Sequence, residues 1–539
     1  MKRRVWGMPV IAVLALLALA GTGVFVPAGA APARQVLRYN LDGGEPASLD
    51  PHKIDNRAAG TVAKQLFEGL VRLDKDGKVI PGVAERWQIS GDGKVYTFFL
   101  RRNARWSNGD PVTAQDFVYA TVRAIGPKFG APLVDNFFFI ANAEEFNGGK
   151  VTDPAQVGIK AVDDFTLEIR LHTPAPFFLS LLSFFSVMPV SQKVDQANPR
   201  WMNEAATFVS NGPFRLAQWV HEQRIVFEPN PNYWARNQVK LDAIEFTMVT
   251  NLATAYQMFQ TGQLNILEPP PTELAARLLA EKRAFAKPQA RTYFVRFNNK
   301  VAPFTNANIR KAFSLAINRD AYTRLVLQGG QIPLRGFIPH GLSSGTGEFR
   351  KQAGDLYRDA DVARAREHLQ TGLRELGLSS LPELTMRTSA REDFRKIAQF
   401  AQAQWKQALK AQVNIEVMEH RAYVAAVRSR NYVLGPFSTG ADYDDAINLM
   451  GQFQTGDFFN FTQYSNPEYD RLMRAAGVET NAQRRTQFMI DAEKILIQQD
   501  MAIAPLYTNT SVVLQSPKLK NVYRHVIFED DYRDAFFEP

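Results

Sequence analysis

Few residues of this 539-residue chain are spaced for chemistry, and the run that comes nearest is Gly341-Leu342-Ser343-Ser344-Gly345. Such a run activates a serine when a strand delivers it into a sharp turn and a helix follows. Here Pro339 precedes it, a polar Gly345-Thr346-Gly347 loop continues it, and no upstream glycine cluster offers oxyanion donors. The segment therefore reads as a connector, and a secreted serine hydrolase built on Ser343 is the alternative from a different class. His52, His172, His221, His340, His368, His420 and His525 are scattered. None forms the paired-histidine, glutamate pattern of zinc hydrolases. Asp442, Asp444 and Asp445 lack the glycine and closing glutamate of a calcium loop. With no cysteine in the chain, thiol catalysis, disulfides and cysteine-held metal are excluded. Nucleophile, base and oxyanion donors do not assemble, so the reading is a non-enzyme with no cofactor and no metal.

The elements around these residues are mixed. Strands are predicted at 37–41, 95–100, 166–171, 214–219, 224–228 and 243–248, each bounded by turn residues. A short helix is predicted at 61–70. Thr113, with Asp116 three residues on, predicts a capped helix from Ala114 to about Ile125. Ile309, Ala312, Phe313, Ala316 and Ile317 fall on one face of a helix over 308–318. The same spacing recurs at Val362, Ala365, Leu369, Leu373 and Leu376, and again over 482–499. This irregular order, without a repeat, predicts an α/β or α+β protein of several lobes.

The front of the chain predicts export. Lys2, Arg3 and Arg4 precede an apolar run from Val10 to Ala20, and Ala28-Gly29-Ala30 supplies small residues for cleavage after Ala30. Gly21, Gly23 and Pro27 break the apolar run before it reaches the roughly 20 residues of a comfortable bilayer span. Residues 1–30 are thus expected to be a signal peptide and the mature chain a soluble periplasmic protein. Without a cysteine behind the leader it is not expected to be a lipoprotein. The formal net charge of +9 includes three leader cations, which leaves +6. No lysine or arginine run marks a nucleic-acid arm. With 45% hydrophobic residues, the roughly 510 that remain exceed what one core usually serves, so two or three lobes are expected.

A set of short motifs carries a resemblance over nearly the whole mature chain. They are Glu45-Pro46-Ala47-Ser48-Leu49-Asp50-Pro51, Leu66-Phe67-Glu68-Gly69-Leu70, Pro81 to Trp87, Trp106 to Phe117, Asn211-Gly212-Pro213-Phe214, Asn230-Pro231-Asn232-Tyr233-Trp234, Ile309 to Arg319 and Gly440-Ala441-Asp442-Tyr443. In this order they resemble the periplasmic oligopeptide-binding proteins of ABC transporters, the family 5 extracellular solute-binding proteins. The resemblance implies a type II periplasmic binding fold with an extra inserted domain, hinged around a ligand cleft. It places lobe I at 34–65, 191–290 and 504–539, the inserted domain at 66–190 and lobe II at 291–503. It also implies an oligopeptide ligand, an inner-membrane ABC permease as partner, no nucleic acid, and a monomer. Relatives serve dipeptides, cell-wall peptides, nickel chelates or other small solutes, and these remain alternatives. A chaperone-like binder of unfolded chains is a third.

By the same resemblance Asp442 pairs with the ligand α-ammonium, with Gly440, Ala441 and Tyr443 beside it. From the residues alone, Asp442 is better read as a helix cap, and it is the resemblance that reverses this. Asp55 falls where relatives line the cleft. Arg421, Arg428 and Arg430 are candidates for a ligand carboxylate, with Arg428 preferred, although a solvated surface suits each. Tyr293 and Phe294 suit either a cleft wall or core packing. Relatives often carry a Gly-Trp pair before Ala-Asp-Tyr. This chain has Gly435-Pro436-Phe437-Ser438-Thr439-Gly440 instead, so its strand is expected to seat the ligand's amino end differently.

Overall fold

The computed structural model describes residues 34–54, 56–527 and 530–539. The predicted leader and Asp55 lie outside the described residues. Strand Val36–Asn40 is buried on both faces and pairs in parallel with Ala243–Thr247, as expected of a strand covered on two sides. It belongs to an eleven-stranded sheet. From one edge the order is Val413–Met418, Leu384–Ser389, Leu434–Gly440, Phe285–Phe297, Ile503–Gln515, Ile266–Leu267, Val36–Asn40, Ala243–Thr247, Arg224–Pro229 and Phe214–Val220. Ile332–Pro333 adds to Ile503–Gln515 off this path. A separate antiparallel sheet of four strands orders as Ala84–Ile89, Val95–Leu100, Thr166–Arg170 and Ile159–Asp163.

Local signals account for most helix boundaries. The helix predicted over 61–70 is Arg57–Leu66: Asn56 caps it by accepting from the Ala59 N–H at 3.1 Å, and Phe67 is already extended. Helix Ala114–Ala124 starts where Thr113 N donates to Asp116 at 2.9 Å. The helix predicted to reach 318 runs Ala307–Leu315, because Asn318 leaves it to cap the next turn through Ala321 N. Ala482–Glu493 continues as a wider π-helical segment, Lys494–Gln499. Among the described residues no helix is long and apolar enough to cross a membrane.

Polar latches join these elements. Glu45 accepts from Trp219 Nε1 at 2.6 Å and from Glu222 N at 3.0 Å. Glu68 accepts from Tyr233 Oη at 2.7 Å, Trp234 Nε1 at 2.5 Å and Arg533 Nη1 at 3.1 Å. Asp50 and Asp195 grip Arg123 from two sides, at 2.7 and 3.0 Å. Arg123 Nη1 also lies 3.0 Å from His52 Nδ1, and His52 Nε2 lies 3.0 Å from the Met188 carbonyl. A guanidinium only donates, so Nδ1 must accept and the imidazole is the neutral Nε2–H tautomer. Burial holds its pKa down at about 4, with Asp50 opposing.

That neutral histidine sets an acid limit. Below the ordinary value near 6.5 the unfolded chain binds a proton that the folded chain refuses, so stability falls with pH until about pH 4. His52 alone is expected to remove roughly 2 kcal/mol of stability between pH 7 and pH 5. Urea unfolding of wild type and His52→Gln at both pH values measures it: the variant should lose less stability on acidification by about that amount. Equal losses would place the proton elsewhere.

Candidate functional site

Strand Leu434–Gly440 runs antiparallel to Phe285–Phe297, with Phe297↔Leu434 at one end and Arg291↔Gly440 at the other. On its outer side, Leu384–Ser389 pairs with it only at Met386↔Leu434. Beyond Pro436, from Phe437 to Gly440, the outer edge therefore has no strand partner, and an extended segment could pair there. The edge is closed at its beginning. Pro436 has no N–H, and its carbonyl accepts from the Tyr423 hydroxyl. Gly435 is needed beside it: a Cβ there would lie 2.3 Å from the Arg387 carbonyl oxygen and 3.1 Å from the Tyr423 hydroxyl.

At the far end the chain turns through the acidic run. Ala441 N donates to the Ala290 carbonyl at 2.8 Å and Asp442 N to Asn448 Oδ1 at 2.8 Å. The helix cap is Asp445, not Asp442. Asp445 Oδ1 accepts from Ile447 N at 3.0 Å, and both its oxygens hold Arg485, at 2.7 and 2.8 Å. Asp444 accepts from Ser343 N at 2.8 Å. Ser343 in turn takes the Ala446 N–H on its carbonyl, and its hydroxyl accepts from Gly345 N. The G-x-S-x-G run is thus a brace for the acidic turn.

Asp442 is left with a carboxylate that no group among the described residues hydrogen-bonds. Burial raises its pKa to about 6, the negative charge of Asp135 raises it further, and Arg291 pulls the other way. Asp444 is likewise pushed up to about 6 by burial, against its bond from Ser343. Both carboxylates line a small cavity with Lys64, Ser180, Ser183 and His525.

Tyr443 lines the same cavity, is buried, and stacks on Phe177 with centroids 4.8 Å apart and planes 10° apart. The remaining candidates fall elsewhere. Tyr293 stacks on Tyr507 at 4.7 Å and donates to Asp393 at 3.0 Å; Phe294 meets Phe337 and Phe437 edge-on. Both are core residues because their strand is flanked by strands on each side and packed on each face. Arg421 and Arg428 are exposed on helix His420–Arg428, and Arg430 is exposed beyond it. None of the three forms an ion pair among the described residues. Sequence reasoning passed over Asp135, Arg291 and Arg296. Only Arg296 carried a signal, as a charge set inside the apolar Tyr293-Phe294-Val295-Arg296-Phe297.

Comparison with known proteins agrees over most of the chain. Residues 78–461 match the bacterial extracellular solute-binding proteins, family 5 middle region. The dipeptide-binding protein DppE of Bacillus subtilis (strain 168) is 37% identical over 494 residues, covering 92% of this chain and 90% of that one. The fold is similar to the periplasmic murein tripeptide binding protein MppA in its unliganded open form, with TM-score 0.82, 29% identity and coverage of 94% and 98%. It is also similar to Haemophilus influenzae OppA in complex with RPPGFSPFR, with TM-score 0.72, 32% identity and coverage of 94% and 99%.

The electrostatics of Asp442 can be tested directly. Replacing Asp135 by Asn removes a like charge, so the Asp442 pKa should fall from about 6 toward, but not reach, its ordinary value, because burial is the larger cause. Carboxyl-carbon NMR titration of the two proteins reads this. No movement would show that Asp135 is too far or too well screened to matter.

Proposed function

This chain belongs to the family 5 bacterial extracellular solute-binding proteins, and we propose that it captures short peptides by their free amino end and delivers them to an ABC permease. The observation that carries the reading is Asp442: a desolvated carboxylate without a hydrogen-bond donor, at the end of a strand whose outer edge is open. A peptide lying along that edge would exchange main-chain hydrogen bonds that are blind to side-chain identity. Its α-ammonium would give Asp442 a charge-assisted hydrogen bond in a water-poor setting. Family membership supports a binding role in place of catalysis, and an exported protein.

Motion between lobes fits the same frame. We place lobe I at 34–65, 191–290 and 504–539, the inserted domain at 66–190 and lobe II at 291–503. Two features support the division. All four strands of the smaller sheet fall within 66–190. The pairing of Phe285–Phe297 with Ile503–Gln515 shifts register between Pro288 and Thr292, at the proposed boundary. Gln289 and Asn509 bond side chain to side chain across this break at 2.6 Å. A break in a ladder is a place where a sheet can flex, and hinge closure around a ligand needs such a place.

The test uses mature protein unfolded and refolded to strip bound ligand, then offered free and N-acetylated peptides of two to six residues in native mass spectrometry. Free peptides should bind and acetylated ones should stay behind. Asp442→Asn should weaken binding by about 2–5 kcal/mol. Affinity in wild type should fall about tenfold between pH 7 and pH 5, since the ammonium needs the ionised carboxylate and Asp442 takes up a proton near pH 6. Equal capture of free and acetylated peptides would remove Asp442 as the amine clamp.

A further inference from the structure

The inserted domain placed at 66–190 is fastened to its two neighbours in different ways. Toward lobe I the contacts are ionic: Arg123 pairs with Asp50 and Asp195, Glu68 with Arg533, and Asp110 with Lys193. Toward residues 291–503 no ion pair crosses among the described residues. One hydrogen bond does, from Ser180 Oγ to the Asp444 carbonyl at 3.5 Å. What carries this second contact is a group of rings. Phe177 stacks flat on Tyr443, and Phe139 meets the two of them edge-on, at 5.0 and 6.5 Å between centroids. Phe177 and Tyr443 are both buried. Arg485, the partner of Asp445, lies 5.8 Å from the Phe177 ring centroid.

The stack falls one residue from Asp442. Both residues meet Asn448: Asp442 N donates to its Oδ1 at 2.8 Å, and the Tyr443 hydroxyl bonds the same side chain. The acidic turn is thus tied to Asn448 and leaned on Phe177. Helix Phe178–Leu181 follows Phe177 directly, and its Ser180, with Ser183 and Phe184 beyond it, lines the cavity that holds Asp442 and Asp444. Charged groups reach this place from several elements. Asp135 lies on the short helix Val134–Phe137 of the inserted domain, and Arg291 on strand Phe285–Phe297. Asp444 and Asp445 share the turn, and Lys64 and His525 line the cavity from lobe I. Lys64 gives its ammonium to the Ser183 carbonyl at 2.7 Å, and no cation bonds the Asp442 carboxylate among the described residues.

We propose that Phe177 is a positioning residue for the amine clamp: stacked on Tyr443, it docks the inserted domain against the acidic turn and keeps water from Asp442. The proposal rests on the peptide-binding reading given above, and it gives the inserted domain a part in ligand capture. A flat stack suits this contact. An ion pair locks its partners, because a charge that loses its mate is left desolvated. Two ring faces part without leaving a charge behind. The inserted domain therefore travels with lobe I, to which ion pairs fix it, and meets lobe II through a contact that can be made and broken as the lobes move. With the stack formed, Asp442 is dry and its bond to an ammonium is strong. With the stack broken, water reaches the carboxylate and competes for the same ammonium.

Two variants test it: Phe177→Leu keeps apolar volume but removes the stack, and Phe177→Ala opens the wall. Thermal melts check that both fold. Carboxyl-carbon NMR of the ligand-free protein reads the Asp442 titration, which in wild type lies near pH 6. In Phe177→Ala it should move down toward the ordinary carboxylate range, with Phe177→Leu in between. Isothermal titration with trialanine should follow the same order. Phe177→Ala should bind about tenfold more weakly than wild type at pH 7, and should lose only about threefold more by pH 5, where wild type loses about tenfold. A residue that merely braces the fold would lower the melting temperature and leave the titration and the pH profile in place. That result overturns the proposal, and so does wild-type affinity in Phe177→Ala. Failure of the underlying reading looks different: trialanine and its N-acetyl form then bind wild type alike or not at all, while the carboxyl titration, which needs no ligand, still moves.

Discussion

Two strands of thirteen residues, Phe285–Phe297 and Ile503–Gln515, lie side by side through the middle of the large sheet, and the other strands hang on one or the other. Leu434–Gly440 pairs only with the C-terminal part of the first, from Arg291 onward. Ile266–Leu267 pairs only with the C-terminal part of the second, at Leu514 and Gln515. Because the two are antiparallel, these attachments fall at opposite ends of the ladder. The ladder is therefore the constraint that fixes the rest. It must be continuous enough to hold both ends of the sheet and broken enough to bend. The register shift between Pro288 and Thr292 supplies the break without loss of the flanking pairs.

The polar residues of the short motifs serve this frame more than they serve a ligand. Glu45, Asp50 and Glu68 each gather donors from segments far apart in sequence. For Glu68 the donors come from another motif and from the C-terminal segment: Tyr233, Trp234 and Arg533 all donate to it, and within the Trp106 to Phe117 motif Trp106 donates to Asp116. A buried charge that loses one partner costs about 3–5 kcal/mol, because the other is left desolvated. Such nodes resist piecemeal change, which is why a string of short motifs can report a fold so well. They report a ligand poorly for the same reason: their chemistry is satisfied internally.

How far the sequence could be read follows from this distinction. Helix Ala114–Ala124 and strand Val95–Leu100, whose burial alternates, were legible because capping and alternation are local. Strands Phe285–Phe297 and Ile503–Gln515 escaped notice, because the second half of the one and most of the other are buried on both faces with no alternation to betray them. Helix Glu392–Leu409 escaped as well, although its buried Phe394, Ile397, Ala401, Trp405 and Ala408 follow helical spacing. In the site, Asp442 came from a resemblance, and the residues alone left it as a cap; the cap turned out to be Asp445, which only the Arg485 pairing and the turn geometry reveal. The arginines chosen from their nearness in sequence to Asp442 are solvated. The buried one lies on a neighbouring strand, nearly 150 positions away in numbering but directly across the ladder from Gly435.

What distinguishes the open edge from its surroundings is unmatched charge of two signs. Elsewhere among the described residues, Asp445, Glu493, Asp359 and Glu68 are each met by a buried arginine. Asp442 and Arg296 are not, although a carboxylate and a guanidinium on adjacent strands are the groups that would neutralise each other if brought together. The ladder keeps them apart by setting one beyond Gly440 and the other opposite Gly435. A sequence that folds consistently at every level leaves such conflicts only where something else resolves them.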